Sequence, residues 1–250
     1  MTQVVPLAKA LDEKLFGSKA VGLGQALREG VPVPPGIALS GAVVEAIAAG
    51  EERAIRAVDR QARPLGGPLA VRSSAADLVA ALKEIWWSAN SDSAITYRQR
   101  VGLFTRPSIG VVVQRLLNPD AAGVMFTLNP VTGDDERVIE ASWGLGEAVV
   151  AGLVIPDHFR LDRSGRILER TPGLKQITIR GAPNGGTVQE TVPDHLTERL
   201  CLGDDQIAQL GQLADRCDQV YGPRRDIEWA IEGGTLYLLQ CRAITTGMKS

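Results

Sequence analysis

Thiols and imidazoles are scarce in this sequence, with three cysteines and two histidines among 250 residues. Cys201, Cys217 and Cys241 are widely spaced and form no CxxC pair. That argues against a zinc site or a disulfide framework and favours small buried thiols in a reducing compartment. His158, in Pro156-Asp-His-Phe159, and His195, in a polar loop, stand in no nucleophile or metal pattern, so both read as structural. Charge of one sign is also lacking. A net charge of −2 gives no reason to expect nucleic acid or an anionic membrane as partner. No apolar run is long enough to span a bilayer, and MTQVVPLAKALDEK lacks the basic-then-apolar order of a signal peptide. The expected location is the cytoplasm. There is no internal repeat and no low-complexity stretch.

What is present is the composition of a soluble globular protein, 44% hydrophobic and 22% charged, long enough for one large domain or two lobes. The most informative stretch lies near the end, from Asp226 to Arg242. Alternating apolar residues flank Gly233-Gly234, the pattern of a β-hairpin. Glu228 interrupts one strand, and Gln240 and Arg242 interrupt the other at a spacing of two, which puts the amide and the guanidinium on one face. Carboxylate, carboxamide and guanidinium together suit a metal with a phosphate; a solvated sheet edge with ordinary charges fits the pattern equally. Register separates the two readings. A two-residue loop sets Glu228 opposite Leu239, whereas a three-residue loop, Gly233 to Thr235, pairs Glu228 with Gln240. The three-residue loop is the expectation.

Earlier in the chain, KLFGSKAVGLGQALREG (14–30) sets Gly17, Gly22 and Gly24 around Lys19 ahead of a helical pattern. A glycine-rich turn opening a helix can cradle phosphate, with a lysine adding charge, and a plain helix start with an exposed lysine explains it as well. Neither the P-loop nor the dinucleotide fingerprint is matched. Residues 41–63 are predicted to be helical, with Arg53, Arg56, Arg60 and Arg63 on a solvated stripe. Pro68-Leu-Ala-Val-Arg-Ser-Ser74 reads as a short strand ending in Arg72. A planar guanidinium there suits phosphate oxygens, while Ser73, Ser74 or Asp77 can cap the helix predicted over 77–100. Residues 109–128 are predicted to be a second hairpin turned at Asn118-Pro-Asp120. Short strands follow to residue 192, then an amphipathic helix over 205–221.

Taken in order, these segments are similar to one family. Gly17-Ser-Lys-Ala-Val-Gly-Leu-Gly24, Val33-Pro-Pro-Gly36, Ala70-Val-Arg-Ser-Ser74, Ala94-Ile-Thr-Tyr-Arg98 and Val113-Gln-Arg115 are followed by Ala122-Gly-Val-Met-Phe-Thr127, Asn129-Pro-Val-Thr-Gly133 and Glu140-Ala-Ser-Trp-Gly-Leu-Gly-Glu147. Pro156-Asp-His158, Asp226-Ile-Glu-Trp229 and Leu239-Gln-Cys-Arg242 complete the set. The chain resembles the nucleotide-binding domain of the phosphoenolpyruvate synthase, pyruvate phosphate dikinase and rifampin phosphotransferase family, a variant of the ATP-grasp fold. The resemblance implies an α+β fold of two lobes with mostly antiparallel sheets and a nucleotide cleft between them. The smaller lobe would span 1–107 and the ATP-grasp lobe 108–250. Lys19 and Arg72 would hold the nucleotide phosphates. Glu228 and Gln240 would hold Mg²⁺, and Arg242 would neutralise charge on the transferred group. The backbone from Gln114 through Arg115 and Leu116 to Leu117 would receive adenine.

Two departures from the family pattern qualify the expectation. Ser74-Ala-Ala-Asp77 runs straight into a helix where relatives carry a glycine loop and another strand that cover the phosphates, and the helical region before Pro68 is short. Neither histidine stands in the family's phosphoacceptor motif. The expected function is therefore Mg·ATP-dependent phosphoryl transfer by a stand-alone, shortened domain. The acceptor would be a histidine on a partner protein or a small molecule. The alternatives are a ligase working through an acyl phosphate and a non-catalytic nucleotide-binding or scaffold subunit.

Overall fold

The computed structural model describes residues 3–71, 77–100, 102, 109–182 and 186–244. The chain divides into two compact units. The first comprises Met1–Gln25, Pro35–Leu116 and Ala182–Gly186, and the second Ala26–Pro34, Leu117–Gly181 and Thr187–Ser250. The division falls between Leu116 and Leu117, and the connection Ala26–Pro34 goes with the second unit.

The first unit contains β1 (Val4–Pro6), most of α1 (Glu13–Arg28), β2 (Gly36–Leu39), α2 (Gly41–Ala48), α3 (Glu52–Ala62), β3 (Leu69–Ala70), α4 (Leu78–Ala89), α5 (Asp92–Arg100) and β4 (Val111–Arg115). Its sheet runs β1-β2-β4-β3, antiparallel throughout. Ile37, Leu39, Val111 and Val113 from the strands pack with Val43, Val44 and Ile47 of α2, Val58 of α3 and Leu82 of α4. Burying such side chains contributes about 1.5–3 kcal/mol each relative to exposure, which anchors the helices to the sheet.

Three expectations change here. The helix predicted over 41–63 is two helices, because Gly50 adopts φ +83° and turns the chain between α2 and α3. The helix over 77–100 is likewise split, as the Asn90 amide donates back to the carbonyls of Trp86 and Trp87 and closes α4. Asp77 caps α4, its carboxylate accepting from the Ala80 N–H at 2.9 Å, while the other candidates, Ser73 and Ser74, lie outside the described residues. Third, the hairpin predicted over 109–128 does not form. β4 is flanked on both sides by β2 and β3. The segment after Pro119 instead pairs in the second unit, with strands far along the chain.

The second unit contains β5 (Ala121–Phe126), β6 (Arg137–Trp143), α6 (Glu147–Val150), β7 (Asp157–Leu161), β8 (Ile167–Thr171), β9 (Ile177–Gly181), β10 (Thr187–Thr191), α7 (Asp194–Thr197), α8 (Asp204–Tyr221), β11 (Arg225–Glu232) and β12 (Thr235–Ala243). Six strands form one antiparallel sheet in the order β12-β11-β5-β6-β7-β8, and β9 with β10 forms a separate ribbon. The two faces of the large sheet differ because side chains alternate along each strand. Ile227, Met125, Ile139 and Phe159 lie in one cross-strand row and are fully buried. Arg137, on the same face, donates to the Gly211 carbonyl and pairs with Asp215, so this is the face that α8 covers. The opposite face carries the polar residues.

Two polar nodes brace the unit. Asp157 and Lys175 are both fully buried and paired at 2.5 Å, and Asp157 also accepts from the N–H groups of Gly173 and Cys201. Asn129 accepts from the N–H groups of Val131 and Thr132 and donates to Glu136, which Arg160 also clasps. The Asn129-Pro-Val-Thr-Gly133 motif is thus an Asx-type turn pinned to the sheet.

Candidate functional site

The site is built on the β11–β12 hairpin. Its loop has two residues, since Glu232 pairs with Thr235 and both Gly233 (φ 55°) and Gly234 (φ 78°) occupy the left-handed region. That corrects the expected three-residue loop. The consequence drawn from the longer loop nevertheless holds: Glu228 pairs directly with Gln240. The register shifts between Glu228 and Trp229, where Leu239 is the extra residue of a β-bulge. Trp229 opposite Leu238 keeps both side chains buried beneath α8, and beyond the bulge the polar residues of the two strands come into line.

Glu228 and Gln240 therefore share the face that α8 leaves uncovered. Two residues along, Asp226 pairs with Arg242, whose Nε donates to Asp226 Oδ2 at 2.7 Å. The Asp226 carboxylate holds the Arg242 guanidinium even more firmly protonated than usual, with Glu228 adding to the attraction. The Arg242 side chain remains 59% exposed while Asp226 is 12% exposed, and the buried Oδ1 of Asp226 has no hydrogen-bond partner. Asp226 is the member of this cluster that sequence reasoning did not single out. It stands two positions before Glu228 on one strand, a spacing that could have flagged it.

The same register carries the polar row across the sheet, from Gln240 and Glu228 through Val124 to Glu140 and His158. Beside it, Leu117, Ala122, Ala230, Tyr237 and Leu239 form a small apolar shelf. Tyr237 and Leu239 belong to it because the bulge sets both on the polar side of β12.

The remaining candidates lie in the first unit. Lys19 is half-buried on α1, two residues past Gly17, whose φ of 81° and ψ of 159° interrupt the helix. Gly22 and Gly24 lie within the helix rather than in a turn. Arg72 lies outside the described residues. In the adenine segment, Gln114 is buried between β2 and β3, the Arg115 N–H donates to the Pro35 carbonyl, and the Leu116 N–H donates to the Pro68 carbonyl. Leu117, 4% exposed, belongs to the second unit and to the apolar shelf. The structure thus brings Glu228, Gln240 and Arg242 together on one wall and places Lys19, Gln114, Arg115 and Leu116 in the other unit.

No described group of three His, Cys, Asp or Glu side chains could hold a metal by itself. That does not conflict with Mg²⁺, which in nucleotide sites takes one or two protein oxygens and completes its shell with phosphate and water. A carboxylate facing a carboxamide, beside an orphaned carboxylate oxygen, is an oxygen-donor set of that kind.

Comparison with known proteins places these residues in context. The profile of the family described as "Pyruvate phosphate dikinase, AMP/ATP-binding domain" matches residues 69–250. A probable phosphoenolpyruvate synthase of Methanothermobacter thermautotrophicus is 42% identical over 174 residues, 69% of this chain and 25% of that protein. The prodigiosin synthesizing transferase PigC of Serratia marcescens is 33% identical over 302 aligned positions, covering 99% of this chain and 34% of the relative. A rifampicin phosphotransferase of Bacillus cereus is 35% identical over 66% of this chain and 19% of its own length. The chain thus spans between about a fifth and a third of these relatives. The PigC alignment is longer than the 250-residue chain, so that relative has segments with no counterpart here. Among solved structures, a D-alanine–D-alanine ligase from Bacillus anthracis aligns with a TM-score of 0.39 and 11% identity, covering 98% of this chain and 60% of that one. The ATP-grasp ligase PsnB aligns with a TM-score of 0.35 and 12% identity, covering 97% and 54%.

Proposed function

Given that the chain belongs to the pyruvate phosphate dikinase AMP/ATP-binding domain family, we propose that it binds Mg·ATP on the face of the β11–β12 hairpin opposite α8 and serves ATP-dependent phosphoryl transfer. The observation that carries the reading is the direct pairing of Glu228 with Gln240, flanked by Arg242 on Asp226. Glu228 and Gln240 would supply the protein oxygens for Mg²⁺, which on binding would neutralise and orient the phosphates. Asp226 holds Arg242 in place, leaving its remaining guanidinium N–H groups to meet phosphoryl oxygens and oppose their charge in the transition state. The apolar shelf of Leu117, Tyr237 and Leu239 offers the adenosine a dry surface next to the charged wall. Lys19 and Arg72 are proposed as additional phosphate ligands on the strength of the family resemblance, and the segment from Gln114 to Leu117 as the adenine contact. With the Arg115 and Leu116 amides engaged, that contact would fall to backbone carbonyls and to Leu117.

The acceptor would be a histidine on a partner protein or a small molecule. Chromatography of the nucleotide after incubation with Mg·ATP and a candidate acceptor tests the reaction. AMP with phosphate supports dikinase-like transfer, ADP alone a direct kinase or an acyl-phosphate ligase. Unchanged ATP with every acceptor, despite binding, contradicts catalysis. A second reading, nucleotide binding without turnover, is favoured by one observation: the PigC relative carries segments absent from this chain.

A further inference from the structure

Arg53, Arg56, Arg60 and Arg63 run along α3 and one residue beyond it, and the structure divides them into two pairs. Seven residues are nearly two helical turns, so Arg53 lines up with Arg60 and Arg56 with Arg63. Arg56 donates to Glu52 at 2.6 Å and Arg63 to Asp59 at 2.8 Å, each partner four residues earlier. Arg53 and Arg60 make no ion pair and no side-chain hydrogen bond among the described residues. Both border a cleft of about 450 Å³ that Arg56 and Arg63 do not line.

The cleft lies wholly within the first unit. Its floor is apolar. Val43 of α2 is 2% exposed, and Val4, opposite Leu39 in the register, packs on the core that α2 and α3 share with the sheet. Ala54 and Ala57 supply the α3 wall, and their small side chains leave the space open. The volume falls inside the roughly 300–1,000 Å³ range of small-molecule sites. Gln61 adds an amide next to Arg60, and Glu51, at the other end of α3, is the one carboxylate of the lining. Two guanidinia against one carboxylate leave a single net positive charge. The whole lining precedes residue 69, where the match to the AMP/ATP-binding family begins.

We propose that this cleft is a second binding site, for a small organic phosphate monoester. The forked N–H groups of a guanidinium match phosphate oxygens, and both forks have donors to spare. A monoester has three terminal oxygens and can accept from both arginines, whereas a carboxylate has two. Its organic body lies on Val4, Val43, Ala54 and Ala57, which removes apolar surface from water on both sides. Glu51 repels a further phosphoryl group, so the lining selects a monoester over a polyphosphate. The inference stands on the first unit alone and does not depend on the proposed function.

The test is calorimetry of the intact chain with phenyl phosphate, without Mg²⁺ or nucleotide. The expected result is saturable one-site binding with a Kd of about 1 mM or tighter. Arg53→Gln and Arg60→Gln should each weaken it at least about tenfold. Neither side chain has a partner to lose, so both variants should melt with the unmodified protein. Ala57→Leu keeps a good helix former but fills the cleft, and should weaken binding as much. Arg56→Gln, which touches only the Glu52 pair, should leave it unchanged. Inorganic phosphate lacks the apolar body and should bind at least about tenfold more weakly. Absence of saturable phenyl phosphate binding, or full affinity in both arginine variants or in Ala57→Leu, overturns the site. So does inorganic phosphate binding as tightly as phenyl phosphate, or a loss in Arg56→Gln as large as in its neighbours.

Discussion

At the scale of single residues, buried charge is placed where it has partners. Lys175 and Asp157 are both fully removed from solvent. Desolvating such a pair costs several kcal/mol, and their attraction repays it only while both partners remain. Lys175→Ala leaves a buried carboxylate with two backbone N–H groups and is expected to cost about 3–5 kcal/mol, read as a drop in the denaturant midpoint. The Asp162 carboxylate behaves differently because it keeps part of its surface in solvent. Hydrogen bonds from Ser164 first, and then from Arg166, lower its pKa from 3.8 to about 2. A carboxylate depressed on folding contributes stability that is complete above its unfolded pKa and is lost as pH falls through the folded one. Stability should therefore decline between about pH 4 and pH 2, and Asp162→Ala should flatten that part of the profile. An unchanged slope in the variant would remove Asp162 from the account. Arg242 and Asp226 differ again, a guanidinium held by a carboxylate yet still facing solvent.

At the scale of elements, the hairpin shows how a correct pairing can arise from a different loop. Two consecutive residues at positive φ make Gly233-Gly234 a type I′ turn. Gly234→Val places a β-branched side chain in that region and should cost about 1–2 kcal/mol. Gly233→Asn, which tolerates it, should be close to neutral by thermal denaturation. The face shared by Gln240 and Arg242 was legible in the sequence because strand alternation is local, whereas Glu228 joins it only through the bulge. The bulge at Leu239 was not legible, because it is imposed by Trp229 and Leu238, which must both point beneath α8. Local signals likewise gave α8 and the cap at Asp77. They failed at 109–128, where two apolar runs joined by Asn118-Pro-Asp120 look like a hairpin but find all their partners elsewhere. They also failed at Gly50 and Asn90, where a break in a helix depends on how each piece packs. Within the site, Glu228, Gln240 and Arg242 could be read from spacing. Asp226 could have been flagged by the same two-residue spacing, but its pairing with Arg242 needed the observed register.

At the scale of the whole molecule, the chain has two compact units and an α+β architecture with antiparallel sheets, and it belongs to a family of AMP/ATP-binding domains. The paired carboxylate and carboxamide, with the adjoining arginine, lie entirely within the second unit. Its sheet holds them on the face opposite α8. The account therefore stands or falls on whether this wall holds Mg·ATP. Isothermal titration calorimetry of the intact chain with Mg·ATP, repeated on Glu228→Ala and Arg242→Ala, measures it most directly. The account expects saturable one-site binding, weakened at least about tenfold by each substitution, or about 1.4 kcal/mol, and reduced when Mg²⁺ is chelated. No binding by the unmodified protein, or equal affinity in both variants, would contradict it.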